Sequence, residues 1–385
     1  MNPSGALAVQ TLSLRDFRSY TRLECAFAPG LNVLHGPNGA GKTNLLEALA
    51  LLALGRSPRT SRDADLVRSG QSTFAIRVRF GVDPAAGQAT TTLEVTYGEH
   101  RGKRARLDGQ VLPRMVDVYG HLLAVYFAPD DLWLLKGGPA GRRQLLDRLL
   151  AQCSPLYADS IFRYRHALAQ RNQTLRDVRT RRAGASLLAI WEPQLVQYGA
   201  EVLRYRASAV AELEPLAAAA YHRLAAGAEE LQIRYRPALG AGDGWTGDET
   251  AWADHLREAF REHLQADLAT GMTGRGPHRD DLEVLLEGAP ARVYGSQGQQ
   301  RTAILALKFA EREYLALRTG RRPLLLVDDV FSELDEPRRR GLQERLQGGG
   351  QVFLTTADPR QLQGMVGASF FRVLQGSVVP EEPHA

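Results

Sequence analysis

Cysteine and lysine are both scarce in this chain. Only Cys25 and Cys153 occur among 385 residues. That excludes a disulfide framework or a cysteine-held metal cluster and fits a reducing compartment. Lysine stands only at positions 42, 103, 136 and 308, and every other one of the 48 basic residues is arginine. Long apolar runs are missing too. The longest, LLEALALLAL from Leu45 to Leu54, contains Glu47 and is too short to cross a bilayer. Residues 1 to 15 lack the basic start and apolar core of a signal peptide. A cytoplasmic protein with no membrane contact is therefore expected. There is no internal repeat, no low-complexity tract and no sustained heptad pattern.

Hydrophobic residues make up 44% of the chain, enough for a sizeable core. The length suits two or three domains. A net charge of +5 permits an acidic partner such as nucleic acid without requiring one. The arginine skew reads equally well as codon bias.

Patterning divides the chain. LAVQTLSLRDF (7 to 17) alternates as a half-buried strand does, and GLNVLHG is a short strand running into a glycine loop. KTNLLEALALLAL predicts a helix that Gly55 ends. Short strands follow between 72 and 127. From about 141 to 235 the pattern is helical, with breaks at Pro155, Gly184 and near Gly227. One more helix, a strand at DDLEVLLEG, a helix over 298–318 and strands at PLLLVDD and QVFLTTAD complete the chain. The fold class is α/β, a mixed α/β part split in sequence by a helical insert.

Chemistry concentrates in GPNGAGKT: Gly36, Pro37, Asn38, Gly39, Ala40, Gly41, Lys42 and Thr43. This is the phosphate-loop pattern in the strand–loop–helix context it requires. Glycines let backbone N–H groups curl round a β-phosphate, and the helix start adds orphan N–H groups and a positive dipole end. Lys42 is placed for the β- and γ-phosphates and Thr43 for Mg²⁺. The alternative, a plain glycine turn before a helix, leaves the lysine–threonine pair unexplained. In LLLVDD, a buried strand ends in two carboxylates. Asp328 is the expected metal ligand and Asp329 the residue facing the attacking water, where a bare strand cap is the alternative.

Two weaker signals gain from their order. YGSQGQQR puts Ser296, Gly298 and Gln299 at a helix start, and SELD (Ser332 to Asp335) follows the acidic strand. Phosphate loop, S-x-G-Q helix, apolar-DD strand and S-x-L-D occur in the order of the ABC-type ATPases. LRDFRSY, GPNGAGKTNLLEALALLALGRSPRT, FAPDDLWLLKGGPAGRRQLLD, GPHRDDLEV and LLLVDDVFSELD together resemble the RecF family of bacterial recombination mediators. The blocks lie in the first 150 and last 115 residues, and the middle matches mainly in character.

That resemblance implies an ABC-type ATPase head with mixed sheets, interrupted by a short helical lobe: head over 1–135 and 271–385, lobe over 136–270. It implies ATP and Mg²⁺ as cofactors and a homodimer in which Ser296, Gly298 and Gln299 act on nucleotide held by the other copy, with Asp335 also among the nucleotide-binding residues. It also implies a weak, DNA-stimulated ATPase, DNA bound at single-strand/double-strand junctions or gaps, and partnership with RecR, RecO and RecA. Lys42 and Ser296 are 254 positions apart, too close for the long arms of SMC proteins. A transporter nucleotide-binding subunit, the rival from another class, usually carries a glutamine and a histidine that are not evident here. Asp130 or Asp131 is the candidate substitute for the first and Thr356 for the second. Asp329 is one methylene shorter than the glutamate common in the superfamily, so slow, timing-scale hydrolysis is expected.

For DNA, two arginine-rich stretches are candidates: Arg101, Lys103, Arg104 and Arg106 on a predicted hairpin, and Arg179, Arg181 and Arg182 ending a helix. For each, a solvated charged face is the equal alternative. Arg18 reads as a nucleotide contact or a salt bridge, His278 and Arg279 as a site residue pair or a packed turn, and Trp133 as core.

Overall fold

The computed structural model describes residues 5–82, 89–225, 229–239, 248–331, 334–346, 349–362, 365 and 367–381. The chain forms two compact units. The first comprises Met1–Leu132, Ala220–Ala228 and Arg301–Ala385; the second comprises Trp133–Ala219 and Glu229–Gln300. The division thus falls at 132/133 and 300/301, with a further excursion into the first unit between 219/220 and 228/229. Residues 271–300 pack with the helical unit rather than with the head.

In chain order the first unit begins with β1 (Gly5–Phe17), β2 (Tyr20–Ala26), β3 (Leu31–His35) and α1 (Lys42–Leu54). It continues with β4 (Thr73–Val82), β5 (Thr90–Gly98), β6 (Gly102–Leu107), β7 (Gln110–Val111) and β8 (Ala124–Phe127). The second unit carries α2 (Trp133–Lys136), α3 (Pro139–Cys153), α4 (Pro155–Arg179), the body of α5 (Glu192–Leu224), β9 (Leu231–Arg236) and α6 (Glu249–Thr270). It also holds β10 (Asp281–Leu286), β11 (Ala289–Pro290), α7 (Ala291–Tyr294) and the start of α8 (Gln297–Thr319). The chain then returns to the first unit through β12 (Arg321–Arg322), β13 (Leu324–Asp328), α9 (Glu336–Leu346), β14 (Val352–Thr356), β15 (Ser369–Leu374) and β16 (Ser377–Glu381).

The first unit has two sheets. One is antiparallel at heart, in the order β12-β1-β4-β5-β6-β7 with β2 also on β1. The other runs β16-β15-β3-β14-β13-β8, parallel except at the β15–β16 hairpin. α1 lies between them, touching β8, β13 and β14 on one side and β4 and β5 on the other. Its leucines and alanines from Leu45 to Leu54 are all buried, which is why LLEALALLAL shows no polar face. β3, β13 and β14 are buried almost throughout, as parallel strands covered on both faces are, with apolar residues leading and polar ones gathered mostly at their C-terminal ends.

The second unit is helical, with a small antiparallel sheet β11-β10-β9. Pro155 opens α4 behind Ser154, whose hydroxyl caps the helix by accepting from Tyr157 N. Gly184 falls between α4 and α5, at the expected break. The helical reading to residue 235 is corrected: Leu231–Arg236 is β9, paired in register with β10. QIRYR alternates, and the partner strand decides what propensity alone cannot. Gly227 lies outside the described residues.

Arginine is part of this unit's core. Arg206 is 2% exposed, bonded by Asp147 and Asp280 and donating to Pro277 O. Arg171 is fully buried against Asp267 and Thr273, over the Phe260 ring. Paired and hydrogen-bonded guanidinium is the form in which such a charge survives burial.

Candidate functional site

β3 delivers the glycine loop to the middle of the parallel sheet, between β14 and β15. Pro37, Asn38 and Gly39 form its exposed crest, while Ala40 is buried. Gly36 has φ 152, and a Cβ there would sit 2.3 Å from the Val373 carbonyl oxygen. Gly41, at φ 111, caps α1, and a Cβ would meet the Tyr20 hydroxyl at 2.7 Å. That hydroxyl donates to Gly41 O. Both positions admit only glycine.

Lys42 is 7% exposed and folds back on its own loop, donating to Gly36 O at 2.7 Å and Pro37 O at 3.0 Å. Burial lowers the affinity of its ammonium for the proton, while Asp329 and Asp328 oppose that. Thr43 Oγ1 donates to Asp328 Oδ1 at 2.9 Å across 285 positions of sequence. Thr355 Oγ1 donates to the same oxygen at 2.7 Å, and the Tyr126 hydroxyl to Oδ2 at 3.1 Å. Burial, then the Asp328 charge, pushes the Tyr126 phenol well up, so it stays a donor. Three hydroxyls hold one buried carboxylate. Sequence reasoning found Thr43 and Asp328 but missed Thr355 and Tyr126, whose signal was their place at or near the ends of neighbouring buried strands.

Asp329 turns away from the strand at φ 47, and its N–H donates to Thr355 O and Oγ1. Aspartate enters the left-handed region more readily than most residues. The loop, Lys42, Thr43, Asp328 and Asp329 thus come together in the first unit. Their oxygens and ammonium form an anion cradle with hard oxygen ligands beside it, a donor set that suits Mg²⁺ and a polyphosphate.

The remaining predicted residues fall into place differently. Arg18 forks onto buried Glu47 at 2.9 and 2.8 Å and donates to Asp65 O. This is the salt bridge of the two readings, joined to the Asp65 carbonyl. Glu47 also accepts from Ser57 and from Arg59, which reaches Asn44 as well. Asp131 accepts from Ala128 N and pairs with Lys308, leaving Asp130 as the exposed member. Thr356 is 2% exposed and spends its hydroxyl on the turn at Asp358. His278 is a packed turn residue, 2.7 Å from the Tyr164 hydroxyl and 2.8 Å from Thr273 O. Trp133 is not core: it is 67% exposed.

In the second unit, Ser296 and Gln299 form a capping box. Ser296 Oγ accepts from Gln299 N, and Gln299 Oε1 accepts from Ser296 N at 2.7 Å. Gln299 Nε2 donates to Glu229. Ser296 itself is exposed at the first turn of α8, with Gly298 half-buried beside it. Back in the first unit, Asp335 caps α9 through Arg338 N and pairs with Arg338. Ser332 lies outside the described residues. Among the predicted DNA contacts, Lys103 turns inward, onto Asp63 and Gly55 O, whereas Arg101, Arg104 and Arg106 are exposed. Arg179, Arg181 and Arg182 are exposed at the end of α4, Arg179 holding Thr270 O.

The family model "RecF/RecN/SMC N terminal domain" matches residues 8–377. The chain is 39% identical to the DNA replication and repair protein RecF of Heliobacterium modesticaldum, over 97% of this chain and 99% of that one. It is 40% identical to RecF of Symbiobacterium thermophilum, over 97% and 98%. Among solved structures it matches the recombination mediator protein RecF-ATPrS of the RecFOR pathway with TM-score 0.90 and 30% identity, covering 99% of this chain and all of that one. A Smc head domain from Pyrococcus furiosus, at TM-score 0.55 and 15% identity, shares the fold alone.

Proposed function

Since this chain belongs to the RecF family of DNA replication and repair proteins, we propose that its nucleotide site is an ATP-gated dimerisation switch that holds DNA. The observation that carries the reading is the loop–acid junction: Lys42, Thr43, Asp328 and Asp329 built into one cradle from both ends of the sequence. Lys42 and the loop amides take the phosphates. Thr43 and Asp328 hold Mg²⁺, which when bound offsets phosphate charge. Asp329 orients the attacking water. A structure of RecF with ATP supports the nucleotide.

Ser296 supplies the second half. Its oxygen already accepts the capping bond, but its proton is free to be donated to an anion at the α8 N-terminus. One chain does not wrap both sides of one triphosphate. Two copies head to tail do, with Ser296, Gly298, Gln299 and Asp335 acting across the interface. ATP closes the dimer, the dimer clamps gapped or junction DNA, and slow, DNA-stimulated hydrolysis opens it. On this reading its partners are RecO, RecR and RecA, in the cytoplasm, as the RecFOR pathway named for the matched RecF structure supports for the first two.

For the DNA face, register improves on the linear patches. Strand alternation sets Arg15, Arg22, Arg77, Arg79, Arg104 and Arg106 on the exposed side of the antiparallel sheet. Threonines separate them, with Glu24 and Glu94 the acids among them. The face suits a phosphate backbone and offers no base-reading device. Arg179, Arg181 and Arg182 are a second, smaller set.

Sedimentation of the protein with ATP, ADP or no nucleotide, each with and without gapped DNA, tests the switch. A dimer only with Mg·ATP, retaining DNA only then, is expected. A single copy at saturating Mg·ATP beside DNA would sink it.

A further inference from the structure

The parallel sheet ends in a hairpin that reaches back to the phosphate loop. β15 pairs with β3, setting Arg372 opposite His35, and β16 folds over β15, setting Glu381 opposite Phe370. His35 is the last residue of β3, directly before Gly36. Its Nε2 lies 2.8 Å from Glu381 Oε2, with both side chains largely shielded, and its ring stands edge-on to Phe370. Arg372 flanks the same carboxylate at 3.8 Å. One residue on, the β15 backbone closes against the loop: the Val373 carbonyl occupies the space a Gly36 side chain would need. Gly36 O is in turn the nearer of the two carbonyls that hold Lys42.

We propose that the β15–β16 hairpin is a positioning strap for the phosphate loop, with the His35–Glu381 pair as its clasp. The chain of contact runs Glu381 to His35, Val373 to Gly36, and Gly36 O to Lys42. Glu381, His35 and Val373 need not touch the nucleotide; they fix where the loop begins. A loop held in place gives up less freedom when phosphate binds, so the strap acts on affinity through preorganisation. This rests on the nucleotide reading above only for its functional consequence, because the strap itself is a statement about loop order.

Two measurements separate the claims. The first is hydrogen exchange of the nucleotide-free protein, following amides 36–45. Glu381→Ala is expected to speed exchange there at least threefold while β13 and β14 stay as in wild type. The second is binding of a fluorescent ATP analogue with Mg²⁺. Glu381→Ala is expected to weaken it five- to tenfold, and Glu381→Gln, which keeps a hydrogen-bonding partner for His35, to fall between. Val378→Ala is the control. It thins the same hairpin at its turn, opposite Val373, so it should lower the urea midpoint without moving affinity. Unchanged loop exchange in Glu381→Ala overturns the strap, whatever the nucleotide does. So does an affinity loss in Val378→Ala equal to that of Glu381→Ala, since hairpin stability alone would then explain both. Failure of the wild type to bind the analogue, with loop exchange still responding, would remove the nucleotide reading and leave the strap standing.

Discussion

His278 makes stability depend on acid. Burial is the main reason its imidazole titrates at about 4 rather than 6.5. The ring is neutral in the fold: Nε2–H donates to Thr273 O, and Nδ1 accepts from Tyr164. Below pH 6.5 the unfolded chain takes up a proton that the folded chain refuses until about pH 4. This group's contribution is therefore full above pH 6.5 and lost as pH falls through that window, up to ~3 kcal/mol. Urea unfolding at pH 7 and 4.5 should show wild type losing more stability than His278→Gln; parallel losses would count against it. At the nucleotide site, Asp329→Glu adds the missing methylene. Phosphate release at saturating Mg·ATP is expected to rise several-fold, and unchanged turnover would mean that the φ 47 backbone, not reach, sets the rate. The candidate-site residues most legible in sequence were those whose type is fixed by chemistry, Lys42, Thr43 and Asp328. Thr355 and Tyr126 were not, because a hydroxyl on an adjacent strand far away in sequence leaves no spacing to read.

Among the elements, α8 has a start with two duties. Ser296 caps the helix, and it is proposed to meet phosphate across the dimer. Ser296→Ala removes both and should cost about 1 kcal/mol of stability along with ATP-driven dimerisation. Ser296→Asp keeps a good cap but sets like charge against phosphate. It should match wild type in urea midpoint yet stay single in sedimentation with Mg·ATP; a dimeric Ser296→Asp would reduce the signature to a helix cap. Strands and long helices were readable because α1, β4 and β13 carry uniform or alternating burial. β9 was not, since its six residues follow a long helical stretch and only β10 makes them a strand. Trp133 misled for a related reason: an aromatic between leucines reads as core, yet α2 has only four residues and turns it outward.

At the scale of the whole molecule, the basic surface and the buried cations must be told apart. Arg142, Arg171 and Arg206 are structural, each paired with aspartate, so the arginine count overstates the cations DNA would meet. Replacing Arg77 and Arg79 together with glutamate is expected to lower DNA affinity at least tenfold and to flatten the slope of log affinity against log salt by about 2. An unaltered slope would move the DNA elsewhere. The bond from Thr43 to Asp328 carries a consequence of another kind. On the ribosome the phosphate loop emerges long before its acid, and the helical insert is made in the interval. A nascent chain, or any product stopped ahead of β13, therefore has a loop with nothing to meet it. On the proposed reading, loading with ATP waits until synthesis is nearly over, and a truncated copy cannot take up a place opposite a complete one.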